Sequence, residues 1–232
     1  MRSTRRVLGT GFGRGFAIML VFLLSLCLVP SAAAAPQSQA LQFNRFSPLA
    51  AKWWQWALEQ PASISPLTDP SGTRCAEGQR GRMWFLAGPV PDSGPIAERT
   101  CIVPSGKTLF FPLVNAFSGW TDGDPEEART ASAQRDIVAT YDVENATNLS
   151  VAVDGSSPNG LIQYEDSVPF RLTLPADNLF GLPAGTLVYP TVDAGHYALL
   201  DPLPSGAHEL HFTGTLPSGF SVDVTYHLIV EE

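Results

Sequence analysis

The clearest pattern along the chain is an alternation of apolar and polar residues near its C-terminal end. Over residues 220–230, one set of alternate positions carries large apolar side chains and the other is mostly polar. A period of two places these sets on opposite faces of a β-strand, which predicts a half-buried antiparallel strand. Residues 208–213 alternate in the same way and predict its hairpin partner, joined through Gly214 to Gly219.

Shorter segments rich in β-branched and aromatic residues predict further strands. The turn sequence Pro-Ser-Gly separates many of them and occurs four times, at residues 70–72, 104–106, 204–206 and 217–219. Short strands without long helices between them predict a mainly β fold, specifically an antiparallel β-sandwich of the jelly-roll or immunoglobulin-like kind. The predicted strands cover residues 83–87, 100–103, 108–114, 149–153, 170–174 and 196–200.

Two helices are predicted at the periphery of this sandwich. The first begins with Ser47 as N-cap and Pro48 at the first helical position, and it ends before Pro61. Its apolar residues cover too wide a surface to face water, so we expect most of it to be buried. The second begins at Asp124, where Glu127 three residues later completes a capping box, and continues towards residue 141.

The N-terminal residues carry an export signal. Residues 1–35 contain four arginines, an apolar run of 14 residues over positions 16–29, and a short stretch of small residues, which together are typical of a secretory signal peptide. The run is shorter than the roughly 20 residues of a membrane span. We therefore expect a secreted or periplasmic protein with no membrane span, exported by either the general or the twin-arginine route. Residues 36–46 are predicted to be a flexible arm and residues 47–232 a single domain.

Charge and cysteine content narrow the functional classes. The 232 residues include 14 Lys and Arg and 22 Asp and Glu, a net charge of −8, and removal of the four signal-peptide arginines gives −8 − 4 = −12. Such an acidic protein lacks the basic surface that nucleic-acid binding needs. Cys75 and Cys101 are the two cysteines beyond the signal peptide, and an oxidising compartment predicts a disulfide between them.

Several segments resemble a group of uncharacterised secreted bacterial β-sandwich proteins of unknown function. The similarity lies in the Trp-rich opening of the domain, the segment over residues 101–112, and the closing hairpin with residues 202–208 and 223–226. It covers most of the chain beyond the signal peptide. The resemblance implies an extracytoplasmic location and a sandwich architecture, and it implies no activity.

An acidic cluster precedes the second predicted helix and has three interpretations. Asp122, Asp124 and Glu126 could cap the helix and favour its positive end. Their hard oxygen ligands also suit Ca²⁺ or another cation, and paired carboxylates can serve as acid and base. No catalytic residue is assigned, and no cofactor other than Ca²⁺ is expected.

Aromatic residues indicate where a ligand could bind. Trp120 and Asp122 lie in a Gly- and Asp-rich segment that predicts a loop. Flat aromatic rings can stack on sugars while polar side chains orient them. We therefore predict a ligand site for a glycan or polymer formed by Arg82, Trp84 and Asn115 together with the two loop residues.

Histidine motifs give weaker signals. His208 and His211 are three residues apart on a predicted strand, so they face opposite ways, and the four-residue helical spacing of a zinc protease is absent. His196 follows Asp193 closely enough to suggest a histidine oriented by an acid, but no nucleophile accompanies it. A histidine with satisfied hydrogen bonds at a strand edge is the preferred interpretation.

Three functions are compatible with these patterns. The leading hypothesis is an extracytoplasmic binding or structural protein for a glycan, polymer or cation. The alternative is a secreted hydrolase using the loop carboxylates, so whether the chain is an enzyme stays open. The third is a subunit that docks on a protein partner through the Trp53 to Trp56 helix, which requires Trp54 or Trp56 to face solvent.

Overall fold

A computed structural model describes residues 36–88, 96–158 and 161–232, with the side chains of residues 36–45 and 96 left out. The predicted signal peptide lies outside these residues. Within them the fold is mainly β with two α-helices, as predicted. The helices are α1 (Pro36–Leu58) and α2 (Ala131–Ala139), and the strands are β1 (Met83–Phe85), β2 (Ile96–Pro104), β3 (Thr108–Gly119), β4 (Thr147–Val153), β5 (Ile162–Asp166), β6 (Phe170–Thr173), β7 (Leu187–Leu200), β8 (Gly206–Thr215) and β9 (Ser221–Glu231).

The strands form two sheets. The first has the order β1-β3-β7-β5, with β6 also paired to β7, and the second has the order β2-β9-β8-β4. The predicted β8–β9 hairpin is confirmed, with Leu210 opposite Tyr226 in the antiparallel register. The expectation of purely antiparallel pairing is wrong, because β1–β3 and β2–β9 are parallel. Alternation specifies which face of a strand is buried but not the direction of its neighbour.

Apolar side chains from the two sheets pack into one cluster. Phe111 of β3 and Phe212 of β8 have ring centroids 4.7 Å apart, and residues from β2, β7 and β9 belong to the same cluster. A second cluster joins α1 to the first sheet and contains Trp53, Phe110 and Tyr197. Among the described residues, no helix is long and apolar enough to cross a membrane.

Helix α1 differs from its prediction in where it begins. It starts at Pro36 and contains Pro48 in its interior, so residues 36–46, predicted as an arm, have a helical backbone. Ser47 is not an N-cap, because its hydroxyl donates to the backbone oxygen of Asp166 at 2.9 Å. The predicted burial of the helix is confirmed for its tryptophans, since Trp53, Trp54 and Trp56 are all at most 7 % exposed.

Helix α2 also begins later than predicted. Thr130 is its N-cap, and the Thr130 hydroxyl accepts from the backbone N–H of Ala133 at 3.1 Å. The carboxylate of Asp124 instead accepts from the backbone N–H and the hydroxyl of Thr121, both at 2.8 Å. The predicted capping box therefore does not form, because Asp124 closes a local turn.

The predicted disulfide is present. Cys75 and Cys101 are bonded, with their Cα atoms 5.8 Å apart, and the bond links the loop before β1 to the middle of β2. The bond closes a loop of 26 residues. Such a cross-link stabilises a fold mainly by reducing the conformational freedom of the unfolded chain.

Removal of this disulfide should lower stability substantially. For the 26-residue separation, loop-closure entropy gives a loss of about 3.5 kcal/mol in the free energy of unfolding. We expect this loss in a Cys75→Ser, Cys101→Ser double variant, measured by urea unfolding without reductant. The wild-type protein under reducing conditions should match the double variant. Equal midpoints for the oxidised protein and the double variant would contradict the prediction.

Candidate ligand-binding site

The residues predicted to share one ligand site lie along the length of β3 and do not converge. Trp84 pairs with Leu109 near the start of β3, whereas Trp120 follows the last residue of this strand. At a rise of roughly 3.3 Å per residue, the eleven positions from Leu109 to Trp120 span about 36 Å. The structure therefore does not bring Trp84 and Trp120 into one site.

Trp120 itself is buried and has a structural partner. Its side chain is in the apolar core at 6 % exposure, and its indole N–H donates to the backbone oxygen of Pro125 at 3.0 Å. The guanidinium of Arg129 lies 4.6 Å from the ring centroid. These contacts hold the loop before α2 against the end of β3. The indole N–H already has an acceptor and is not free to bind a ligand.

The acidic cluster next to Trp120 is exposed. Asp122, Asp124 and Glu126 all face solvent, and Glu126 forms an ion pair with Arg129 at 3.3 Å. In the described parts of the chain, no group of three or more His, Cys, Asp or Glu side chains is arranged to hold a metal ion. Two of the three carboxylates predicted as cation ligands, those of Asp124 and Glu126, thus make local contacts within their own loop.

The remaining predicted ligand residues occupy separate places. Arg82 lines a groove beside α1, and Asn115 lines a cavity that Trp53 and Trp54 of the same helix also line. Trp84 is buried, and its indole nitrogen has no hydrogen-bond partner among the described residues. Of the five residues proposed from the sequence, Asn115 and Arg82 therefore line a concave surface, and the two surfaces are distinct.

The cavity at Asn115 has a volume of about 380 Å³. It lies between α1, β3 and the turn that joins β8 to β9. Apolar side chains form most of its wall, contributed by residues that are distant in sequence: Trp53, Trp54, Leu113, Phe117, Phe220 and Val222. Asn115, Tyr141 and Ser218 supply polar groups at the same wall. A mostly apolar pocket with few polar groups is typical of small-molecule sites.

An irregularity in β3 shapes this wall. The pairing register between β3 and β7 shifts between Pro112 and Val114. As a result, the consecutive residues Leu113 and Val114 are both buried in the cluster between the sheets, where a regular strand would send them to opposite faces. After this bulge the alternation resumes with the opposite phase. Asn115 therefore faces α1, on the same side as Tyr197.

A buried polar cluster lies behind the cavity wall. Asp193 and Tyr197 of β7 are both fully buried, and the Tyr197 hydroxyl donates a short hydrogen bond to Oδ2 of Asp193. The amide of Asn115 donates to the Tyr197 hydroxyl at 3.2 Å. The backbone N–H of Asp193 donates to the hydroxyl of Ser167 at 2.9 Å. This chain of hydrogen bonds connects the amide at the cavity wall to a buried carboxyl group.

Gly195 makes the hydrogen bond between Tyr197 and Asp193 sterically possible. It lies between them on β7 and pairs directly with Asn115. A Cβ atom at Gly195 would lie 2.5 Å from Cε2 of Tyr197 and 2.8 Å from Cβ of Asn115. The tyrosine ring therefore lies across the bare backbone of Gly195, which lets its hydroxyl reach a carboxyl four residues earlier.

Burial dominates the electrostatics of this cluster. Loss of water raises the pKa of Asp193 to about 7, although hydrogen bonding with Tyr197 and Ser167 opposes the shift. Burial and the nearby carboxyl raise the pKa of Tyr197 well above its usual value. The Trp54 indole is near enough to favour the ionised carboxylate of Asp193, yet in the described structure neither the indole nitrogen nor Oδ1 of Asp193 has a partner with hydrogen-bond geometry.

His196 does not belong to this cluster. Residues 193 and 196 are an odd number of positions apart on β7, so their side chains lie on opposite faces of the sheet. The Nε2 atom of His196 contacts the backbone oxygens of Val143 at 3.1 Å and Glu144 at 3.4 Å. Burial is the main cause that lowers the pKa of His196. The histidine is therefore held by backbone carbonyls and is not oriented by Asp193.

The chain was compared with protein-family models, curated proteins and solved structures, and it matches none of them.

Proposed function

We propose that this chain is an extracytoplasmic binding protein that takes a small apolar or amphiphilic molecule into the cavity beside α1. The observation that carries the proposal is the combination of an apolar wall with the Asn115 amide inside a volume of about 380 Å³. Apolar burial would supply affinity, and the amide would orient a polar group of the ligand. Because Asn115 is anchored through Tyr197 to Asp193, the Asn115 amide is positioned before the ligand arrives.

The proposed architecture is a β-sandwich. The shared apolar cluster between the two sheets supports it, and the exposed faces of β8 and β9 carry polar side chains such as His211, Asp223 and Thr225. The proposed location outside the cytoplasm rests on the signal-peptide pattern of residues 1–35. The disulfide agrees with an oxidising compartment.

The other two functions have less support. A hydrolase acting through the loop carboxylates needs two ionisable groups in one cleft, whereas Asp124 and Glu126 are engaged with Thr121 and Arg129 on an exposed loop. A subunit docking through the tryptophans needs an exposed indole, and the tryptophans of α1 are buried against the first sheet. The binding hypothesis is therefore the one we retain.

The proposal predicts that blocking the cavity mouth will abolish binding of an apolar probe. Ser218 is exposed and lines the cavity, so a Ser218→Trp substitution places a large ring at the opening. We expect the neutral dye N-phenyl-1-naphthylamine to bind the wild-type protein and to bind this variant at least about tenfold more weakly, a loss of roughly 1.4 kcal/mol. The measurement is a titration of dye emission.

The chain contains a matched control for this variant. Ser205 occupies the same position in another exposed Pro-Ser-Gly turn, so Ser205→Trp adds the same ring away from the cavity. Dye affinity should be unchanged in the Ser205 variant, and straight-chain alcohols of increasing length should displace the dye from the wild-type protein with increasing potency. Equal dye binding by both variants, or no dye binding by the wild-type protein, would refute the proposal.

A further inference from the structure

A second concave surface lies on another side of α1 from the cavity. This groove has a volume of about 600 Å³ and is formed by α1 and the segment that leads into β1. Leu49, Met83 and Phe85 provide apolar surface, while Lys52, Arg80 and Arg82 provide cationic groups. Helix α1 contributes to both surfaces, but the groove shares no lining residue with the cavity. An inference about the groove therefore does not depend on the proposed function.

The charge of the groove is opposite to that of the protein. Three of the ten Lys and Arg residues beyond position 35 line it, where ten is the total of 14 minus the four in the predicted signal peptide. Glu59 is the acidic residue among the lining side chains. The lining therefore has a formal charge of 3 − 1 = +2 in a chain segment whose total is −12. An anion would be attracted here and repelled from much of the remaining surface.

The three cations are available for a ligand. Lys52, Arg80 and Arg82 are exposed, and they form none of the ion pairs found among the described residues. The acidic neighbour Glu59 is already engaged, because its carboxylate accepts from the backbone N–H of Thr173 at 2.9 Å. An anionic ligand would thus meet cations that are not neutralised by protein carboxylates.

The segment that carries the arginines is held rigidly. The side chain of Gln79 donates to the backbone oxygens of Cys75 at 2.9 Å and Phe85 at 2.7 Å, and it accepts from the N–H of Phe85 at 2.9 Å. The disulfide fixes the start of the same segment. Trp56 fixes its middle, because the indole N–H donates to the backbone oxygen of Glu77 at 2.8 Å. Contacts within the protein therefore hold the backbone that positions Arg80 and Arg82.

We infer that this groove binds an anionic polysaccharide whose carboxylates contact Arg80, Arg82 and Lys52. Guanidinium groups pair with carboxylates through two parallel hydrogen bonds. The apolar floor formed by Met83 and Phe85 suits the C–H faces of sugar rings. A ligand that is both anionic and partly apolar along its length meets both features of the groove at once.

The concave shape favours a soluble polymer over a membrane surface. Residues of α1 and of the segment that runs into β1 line this concave groove, so a single extended chain can lie along it between the two elements. A lipid surface would contact the rim of such a groove and leave its floor unfilled. The side chains of Leu49 and Met83 are also half-buried, so they do not project outwards in the way that membrane insertion requires.

The test is binding of polygalacturonate to the full chain without its predicted signal peptide. We expect affinity electrophoresis and calorimetry to show binding of polygalacturonate, weaker binding when NaCl rises from about 0.02 to 0.2 M, and no binding of neutral galactan. An Arg80→Gln, Arg82→Gln double variant should lose at least about tenfold in affinity. Because both side chains are exposed, its melting temperature should remain that of the wild type.

The control removes the same charge elsewhere. Arg129 and Arg171 are exposed and lie outside the groove, so an Arg129→Gln, Arg171→Gln double variant should bind polygalacturonate as the wild type does. Equal weakening in both double variants, equal binding of galactan, or no binding of polygalacturonate by the wild type would each overturn the inference. Binding to anionic phospholipid vesicles in place of the polymer would also overturn it. Failure of the dye experiment at the cavity would leave it standing.

Discussion

Substitution of Gly195 by alanine is expected to destabilise the protein by about 3 kcal/mol or more, the range of severe overpacking in a buried site. The added Cβ would lie 2.5 Å from a ring carbon of Tyr197 and 2.8 Å from Cβ of Asn115. Neither neighbour is the free end of a flexible side chain, because Tyr197 is fully buried and stacks on Phe110 with centroids 5.1 Å apart. To relieve both clashes, the tyrosine ring must move, which disturbs its hydrogen bond to Asp193, and β3 must shift relative to β7 at Asn115.

Urea unfolding of Gly195→Ala, read by circular dichroism, measures this loss. Gly123→Ala is the matched control, because a Cβ there would have only an ordinary contact, 3.8 Å from the Thr121 hydroxyl, in an exposed loop. Its stability should stay within about 0.5 kcal/mol of the wild type. If both alanine variants unfold at the wild-type midpoint, the packing of Tyr197 across Gly195 is not what holds the polar cluster together.

The two C-terminal strands show what a side-chain pattern can determine. Alternation over residues 208–213 and 220–230 predicted β8 and β9, their pairing and their buried faces, because each strand contributes one face to the core. Strand β7 is 14 residues long, yet only its last five positions were predicted as a strand. Asp193 and Gly195 interrupt its apolar pattern, and both residue types are depleted in strands.

The positions that interrupt β7 are the ones that form the polar cluster. An aspartate on the central strand of a sheet is unfavourable unless its carboxyl has a partner, and here the partner is a tyrosine on the same strand. A serine on a distant loop accepts from the backbone N–H of the same aspartate. The sequence contains a signal, namely an acid, a glycine and a tyrosine at alternate positions in one strand. The partner contributed by β3, Asn115, depends on a register that no local pattern encodes.

The cavity could not be predicted because its wall is assembled from distant segments. Asn115 was selected as a polar residue near aromatic ones, but the aromatic residues that accompany it are Trp53 and Trp54 of α1 and not Trp120. The predicted site assumed that residues near β3 would meet, whereas an extended strand places its two ends far apart. Arg82 also lines a concave surface that no local pattern predicts, because several of the other residues that form it come from α1.

The buried carboxyl of Asp193 should make the stability of the protein depend on pH. Burial raises its pKa to about 7 from an ordinary value of 3.8. The folded protein therefore retains a proton that the unfolded chain releases between these two values, so the free energy of unfolding falls as pH rises from about 4 to 7. The product of this difference and 1.36 kcal/mol per pH unit gives an upper limit of roughly 4 kcal/mol for the decrease.

An Asp193→Asn substitution should remove this dependence. Asparagine has nearly the same shape and can still accept the hydrogen bond from the Tyr197 hydroxyl, but it does not ionise. Between about pH 4.5 and pH 8, we expect the unfolding free energy of the wild type to fall by several kcal/mol more than that of the variant. Urea unfolding of both proteins at the two pH values measures the shift.

Comparison of the two proteins separates Asp193 from other groups that titrate in this range. Hydrogen bonding to Asp154 raises the pKa of His208, so the stability that this histidine contributes is also lost as pH rises through its folded-state pKa. Burial raises the pKa of Glu165, which acts in the same direction as Asp193. Both groups are present in wild type and variant, and their effects cancel in the difference.

The exposed carboxylate of Asp122 provides the control for this experiment. The Asp122→Asn substitution removes one acidic group and leaves the polar cluster unchanged. The unfolding free energy of this variant should therefore depend on pH as that of the wild type does. Parallel curves for the wild type, Asp122→Asn and Asp193→Asn would mean that the Asp193 carboxyl is ionised throughout the range. In that case its Oδ1, which has no partner in the described structure, would have to be solvated, and Asn115 would be held at the cavity wall beside a negative charge.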